Sequence, residues 1–435
     1  MTDATTRTQR AAIDLSKRDL TLDLARVVCV LLVVVIHLLM VGVGTGPDGL
    51  VLSRPLEAQP WFDVVSWVGQ IMPLFFVVGG FASMTAWRSL RRRDGDGADY
   101  VRGRVLRLAQ PTFPLFVFYV VVIAIAQFVV GAPPELLRGV LVGAGSPLWF
   151  IAAYGICQAL VPLMAGLHER APKRTVLVLL ALVIAVDVLR FSTGLTWLGL
   201  LNLLFVWPLV QQFGFWYADG WFDRRAWWQL ALIAVAGVAL MWPLTAFGPY
   251  DTNMLSNLNP PTLPLVVLGI SQAAFLRLVK RPLTALMRTG AAKAVVFVAG
   301  TRLMTIYLWH LPLIIAAAGV ALLIPGASPM PESPAWWWSR ILVFVIVLAA
   351  LYALSLLVGR WEQPRQAGPT PPAPVVAAAV VLTVAVPTLL IPLGLDFVLA
   401  VAGFLTIGAA ILLLGRWPAR PEPARAEPAS AAAES

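Results

Sequence analysis

Residues 26–37 read RVVCVLLVVVIH, ten apolar side chains held between an arginine and a histidine. With LTLDLA before it and LLM after it, the stretch reaches about twenty residues, the length an α-helix needs to cross the hydrocarbon core of a bilayer. Eleven steps of about 100° return to within about 20° of the start, so Arg26 and His37 share one helix face, separated by about 16 Å of rise. Asp23, three residues before Arg26, lies on the same face and is a candidate ion-pair partner. The helix therefore carries one polar stripe through an otherwise lipid-soluble cylinder. An arginine at the membrane boundary can snorkel to the headgroups. A histidine deeper in the span is costly unless it faces a protein interior or a water-filled cavity, which makes His37 a functional candidate.

The rest of the chain repeats the apolar pattern. Of its 435 residues 59% are hydrophobic and 12% charged, and the mean hydropathy is +0.82. Such a composition excludes a soluble globule with a polar surface and indicates a polytopic membrane protein. Apolar windows of about twenty residues fall near 22–43, 64–87, 112–131, 148–166, 174–190, 198–217, 227–245, 262–279, 302–324, 338–358, 375–394 and 397–415. The expected fold is thus an all-α bundle of about twelve transmembrane helices. The polar first nineteen residues have no following small-residue cleavage site, so the first span is expected to remain as an anchor. The closing segment RWPARPEPARAEPASAAAES has no apolar periodicity and reads as a disordered tail.

Lysines and arginines concentrate in alternate connections. The N-terminal segment, 88–107, 170–174, 224–225, 277–302, 360–365 and 416–425 hold nearly all of them, and the intervening connections hold only Arg54, Arg138, Arg190 and Arg340. By the positive-inside rule both termini are expected on the cytoplasmic side of the plasma membrane. The net charge of +10 is then a matter of topology and bilayer contact, and no nucleic-acid partner is implied. The two cysteines, Cys29 and Cys157, lie inside apolar runs and read as packing residues. With three scattered histidines and no Cys/His cluster, no metal site is expected.

Three further features carry chemistry. His310, in TIYLWHLPL, follows Tyr307 by three residues on one helix face. His168, in HERAPKR, reads as a solvated group in a polar loop. Arg104 and Arg107, in RVLRLAQP, are expected to project together from a helix start, where they suit bidentate contact with a phosphate. Trp61, Trp67, Trp149 and Trp197 suit an interfacial aromatic belt.

Five of these pieces, LDLARVVCVLLVVVIH, MPLFFVVGGF, RVLRLAQP, PLWFIAAYGICQALVPL and TIYLWHLPL, occur in an order that resembles the integral-membrane acyltransferase 3 family. The form FFVVGGF, with Gly79 where many members have serine, resembles the branch found in high-GC Gram-positive bacteria. The resemblance spans about residues 15–360 and implies a ten-helix core. It divides the chain into a cytoplasmic segment (1–21), the membrane domain (22–360), two added helices (361–415) and the tail (416–435). It also implies an O-acyltransferase using cytoplasmic acyl-CoA, with acetyl-CoA as the expected donor, and no permanently bound cofactor. The acceptor would be a hydroxyl of a sugar, glycan or lipid-linked envelope component at the opposite face. By position, His37 matches the family's essential histidine, Arg26 its helix-1 arginine, and Arg104 and Arg107 its paired donor-side arginines. His310 matches a recurrent position and is a second catalytic candidate, with Asp23 and Tyr307 in support. A histidine of near-neutral pKa can serve as general base toward a hydroxyl. The competing expectation is a many-helix transporter or lipid flippase, against which stand the missing internal repeat and the absence of mid-membrane carboxylates.

Overall fold

The structure is a computed structural model that describes residues 19–46, 49–362 and 368–415. The expected disordered tail, the first eighteen residues and the basic residues within both lie outside the described residues.

A backbone in lipid can satisfy its N–H and C=O groups only internally, so the valine-rich segment at 26–37 forms a helix despite its β-branched content. Helix α1 (Leu20–Met40) starts at Asp19, whose side chain accepts the Thr21 N–H at 3.1 Å. It ends at an antiparallel hairpin, β1 (Gly42–Gly46) with β2 (Gly49–Ser53). Then follow α2 (Phe62–Gly69), α3 (Met72–Arg91), α4 (Gly97–Ala124), α5 (Pro134–Gly145), α6 (Trp149–Arg170) and α7 (Pro172–Thr193). A 3₁₀ segment (Thr196–Leu204) leads into α8 (Val206–Ala218) and α9 (Trp227–Ala246). The chain continues through α10 (Leu263–Leu278), α11 (Lys280–Leu286), α12 (Gly290–Gly300), α13 (Leu303–Leu322) and α14 (Pro334–Val358), and closes with α15 (Ala373–Leu393) and α16 (Phe397–Gly415).

Eleven of the described helical segments are long and apolar enough to span a membrane, and α10 with α11, bent by 59° at their junction, makes up to twelve. The all-α polytopic bundle expected from the sequence is what forms. The third span, however, begins at Gly97, fifteen residues before its expected start. Pro111 and Pro114 look like breakers, yet both lie inside α4. Each removes one intrahelical hydrogen bond, and helices buried among other helices tolerate that loss. Arg104 and Arg107 therefore sit on a continuous helix and not at its start.

The core gathers α1, α3, α4, α6, α8 and α13 around Trp207, which is fully buried and stacks on Phe76 at 4.2 Å and Trp149 at 5.5 Å. Helices α3 and α8 cross so closely that a Cβ at Gly214 would lie 2.0 Å from the Val77 carbonyl oxygen. Only glycine permits that approach. Helices α15 and α16 pack on α4 and α6, and Gly403 lies under the Phe116 ring. Arg102, inside the basic cluster, is buried there: its Nε donates to the Leu414 carbonyl at 3.0 Å and its Nη1 to that of Gly368 at 2.9 Å. Outward-facing apolar side chains such as Leu177, Leu232 and Leu342 cover the perimeter on α7, α9 and α14, as a lipid-facing surface requires.

Candidate active site

Two cavities meet inside the bundle. The first, about 140 Å³, is lined by Arg26, Cys29, Val30, Val33, Met72, Phe75, Arg104, Arg107, Leu108, Phe150, Tyr154, Leu303, Met304 and Tyr307. The second, about 600 Å³, reaches from Val33 and His37 on α1 to the hairpin, to α5 and to the 253–259 connection. Val33, Met72 and Tyr307 line both. The polar stripe of α1 thus feeds two chambers: Arg26 opens into one, His37 into the other, and the wall between them is formed by the three side chains they share.

His37 and His310 come together, with ring centroids 4.9 Å apart and planes tilted by 60°. In each ring Nδ1 lies against a carbonyl of its own helix, Val33 at 2.9 Å for His37 and Tyr307 at 2.6 Å for His310. A carbonyl only accepts, so each Nδ1 donates, and in the neutral ring each Nε2 keeps a lone pair. His310 is fully buried, and its Nε2 has no partner. The Nε2 of His37 forms no hydrogen bond among the described residues, and its ring lines the larger chamber. Two unspent bases in contact are the least expected arrangement for a span built only for packing. Tyr307 lies beside them, its ring 5.8 Å from His310 and its hydroxyl donating to the Pro147 carbonyl at 2.7 Å. Residues 273 positions apart are joined here, which the sequence placed on separate helices.

On the other side of the wall Arg104, Arg107 and Arg26 surround the smaller chamber. The Arg104 guanidinium stacks over Tyr100 at 5.0 Å, and the Tyr100 hydroxyl donates to Gln158 at 3.1 Å, which in turn donates to Ser83 at 3.0 Å. Arg26 keeps a buried Nε with no hydrogen-bond partner. Asp23 does not supply one: among the described residues no ion pair joins the two, so the expected Asp23–Arg26 pair does not form. A half-buried cation whose Nε is left open toward a cavity is suited to an anion that arrives from outside.

The acyltransferase 3 family model, described as an acyltransferase domain, matches residues 19–360, well over half of the sequence. The chain belongs to the acyltransferase 3 family. It is accordingly a membrane acyltransferase. No curated protein and no solved structure matches it. The family match ends before α15 and α16, the pair braced by Arg102. Gly79 has room for a small side chain, since a Cβ there would meet only Tyr154, at 3.5 Å.

Two sequence expectations, for His168 and for the tryptophans, take a different form. His168 is no solvated loop residue: it is buried in the last turn of α6, with Nδ1 2.7 Å from Gln212 Oε1 and Nε2 3.0 Å from Asp219 Oδ2. Asp219 also accepts from Arg88 at 2.8 Å. Burial works to raise that carboxyl, but the Arg88 and His168 hydrogen bonds outweigh it and hold the group below the usual carboxylate range. Asp187 is buried and spent on structure, accepting from Asn202 at 2.8 Å, from Tyr250 at 3.0 Å and from the Leu263 N–H at the start of α10 at 3.0 Å. Of the four tryptophans, Trp149 lines the larger chamber, Trp67 is buried with its Nε1 on the Thr252 carbonyl, and only Trp61 and Trp197 are exposed as a belt requires. Last, sequence reasoning passed over Ser53 and Asn259, which line the larger chamber with buried, unpartnered side-chain oxygens. Nothing in their local sequence marks them, because a hairpin and a distant connection bring them there.

Proposed function

We propose that the protein moves an acyl group from acyl-CoA, bound through the arginine chamber, to a hydroxyl of an acceptor held in the histidine chamber. The arrangement that carries this reading is the shared wall of Val33, Met72 and Tyr307. Arg26, Arg104 and Arg107 take the donor phosphates at the mouth, where fixed guanidinium forks suit bidentate contact. The pantetheine arm runs along α1, and the rise of about 16 Å from Arg26 to His37 is a reach such an arm covers. The arginine-rich face is cytoplasmic by the positive-inside rule, so the donor comes from the cytoplasm and the acceptor from outside.

In the chemical step, Nε2 of His37 accepts the proton of the acceptor hydroxyl as its oxygen attacks the thioester carbon. The Nδ1–H bond to Val33 fixes the ring and its tautomer. Collapse of the tetrahedral intermediate breaks the C–S bond, and the thiolate leaves with the proton that His37 took up. His310 packs on His37 and orients it. The acceptor is a polyhydroxylated molecule such as a sugar or glycan unit, which Ser53 and Asn259 meet by hydrogen bonding, and the acyl group is acetyl. A proton-coupled carrier is less well supported, since Asp187 has three donors of its own and Glu57, at the chamber rim, pairs with Arg54 at 3.2 Å.

The test is acetyl-CoA turnover by the purified protein in liposomes containing an envelope acceptor, with donor supplied on one side. Release of CoA is expected only when donor meets the arginine face, and only with His37 intact. Equal release by wild type and His37→Gln, with donor binding confirmed in both, would remove the catalytic reading.

A further inference from the structure

Away from both chambers, the junction of α10 and α11 opens a third cavity of about 430 Å³, lined by Arg277, Lys280, Arg281, Thr284, Ala285 and Arg288. Four of the six are cations and none is an acid. Two of the cations are engaged at the edges: Arg277 with Asp223 at 2.5 Å and Lys280 with Asp19 at 2.9 Å. Arg281 and Arg288 form no ion pair or hydrogen bond with their side chains among the described residues. Like charges gathered around a concavity repel one another, and an anion in the groove relieves that cost.

The surroundings say which anion. The 59° bend turns α11 away from the direction of α10, and on its inner side Leu283 and Met287 pack on Leu24 and Val27 of α1. Within two residues of the lining along the chain stand large exposed apolar side chains, Phe275 at 58% and Leu286 at 48% exposure. A cationic hollow bordered by exposed hydrocarbon at the end of a membrane-spanning helix matches a molecule with a phosphate head and acyl tails. The other dense basic run, at the end of α3, is as exposed as Arg281 and Arg288 but lines none of the three cavities: Arg91 stacks on Trp87 and Arg93 bonds the Ser89 carbonyl.

We propose that the groove at the α10–α11 break binds the headgroup phosphate of an anionic phospholipid. The site is independent of the acyl-transfer reading, because none of its residues lines either chamber. A soluble phosphate has the same head chemistry but no tails, so the two sources can be separated. Purified protein is exchanged into mixed phosphatidylglycerol and phosphatidylcholine nanodiscs, and retained lipid is counted by native mass spectrometry after extraction. Wild type is expected to retain phosphatidylglycerol over phosphatidylcholine, and Arg281→Ser with Arg288→Ser to lower that preference about tenfold. Arg92→Ser with Arg93→Ser is expected to leave it unchanged, as is inorganic pyrophosphate added as competitor. An equal loss with the Arg92/Arg93 pair would reduce the effect to general attraction by a basic face and overturn the site. Displacement by pyrophosphate would assign the groove to a soluble polyphosphate instead. Matching elution and thermal unfolding of the variants keeps misfolding out of the comparison.

Discussion

His37 and His168 both lie on long apolar helices, and they end in opposite chemical states. His168 spends both ring nitrogens on oxygens of α8 and its C-terminal connection, and joins the ends of α6, α8 and, through Asp219, α3. His37 spends one nitrogen on its own helix, turns the other toward a cavity of about 600 Å³, and meets a second histidine with the same spare atom. A buried imidazole with both nitrogens bonded stabilises; one with an open nitrogen gives up a hydrogen bond and gains reactivity in return. Burial alone does not separate the two roles, whereas the fate of each nitrogen does.

Exchanging the pair's fates in mutants tests that contrast most sharply. His37→Gln keeps a polar side chain but offers no base, and is expected to lower the acyl-transfer rate by about 10²–10⁴-fold with the unfolding midpoint nearly unchanged. His168→Phe should do the reverse, costing about 1–3 kcal/mol of stability because Gln212 and Asp219 lose a partner, while turnover per folded molecule stays near wild type. A His168 variant that folds normally and is inactive would break the distinction.

Next in size is His310. It touches His37 by ring contact alone; in the proposed mechanism it is a positioning residue, and His310→Asn is expected to lower kcat about tenfold while leaving the donor KM alone. The pH profile separates this from simple loosening: a changed acid limb of kcat marks His310 as electrically coupled to His37, and an unchanged limb restricts it to packing. On the far side of the wall, Arg104→Gln or Arg107→Gln should raise the donor KM about tenfold with kcat kept, the loss of one charge-assisted contact. If kcat fell and KM held, the arginines would belong to the chemical step and the two-chamber division of labour would fail.

The apolar windows made the bundle legible, because in lipid a long apolar run has few structural options. The shared face of Arg26 and His37 was legible too, since it needs only the helical repeat. His168 was misread because its neighbours Glu169 and Arg170 are polar, while its partners lie 44 and 51 positions downstream. The start of α4 was placed too late because the apolar window opens only past Arg102, Arg104 and Arg107, whereas the helix runs through them and through Pro111 and Pro114. The His37–His310 contact lies in the same category as His168: each helix could be found, but which faces meet is a tertiary fact. The same holds for Arg102, counted in a basic cluster and found bonding the end of α16.

The smallest expected effect concerns acid and the His168 region alone. The hydrogen bonds from Arg88 and His168 hold the Asp219 carboxyl below its ordinary value against the opposing pull of burial. A carboxylate depressed in the folded state contributes stability that is fully present above its unfolded value, about 3.9, and is lost as pH falls through the folded one. The unfolding midpoint of wild type should therefore decline as pH drops below about 4, and Asp219→Asn, which has no such proton to take up, should start lower and decline less. Because Asp219 is partly exposed, the difference is expected to be modest and to shrink in high salt. His37→Gln should follow the wild-type curve throughout, since it leaves Asp219 and both of its donors in place. Parallel curves for wild type and Asp219→Asn would mean that the His168 cluster contributes no pH-dependent stability, and its two bonded nitrogens would then have to be explained by something other than tying three helix ends together.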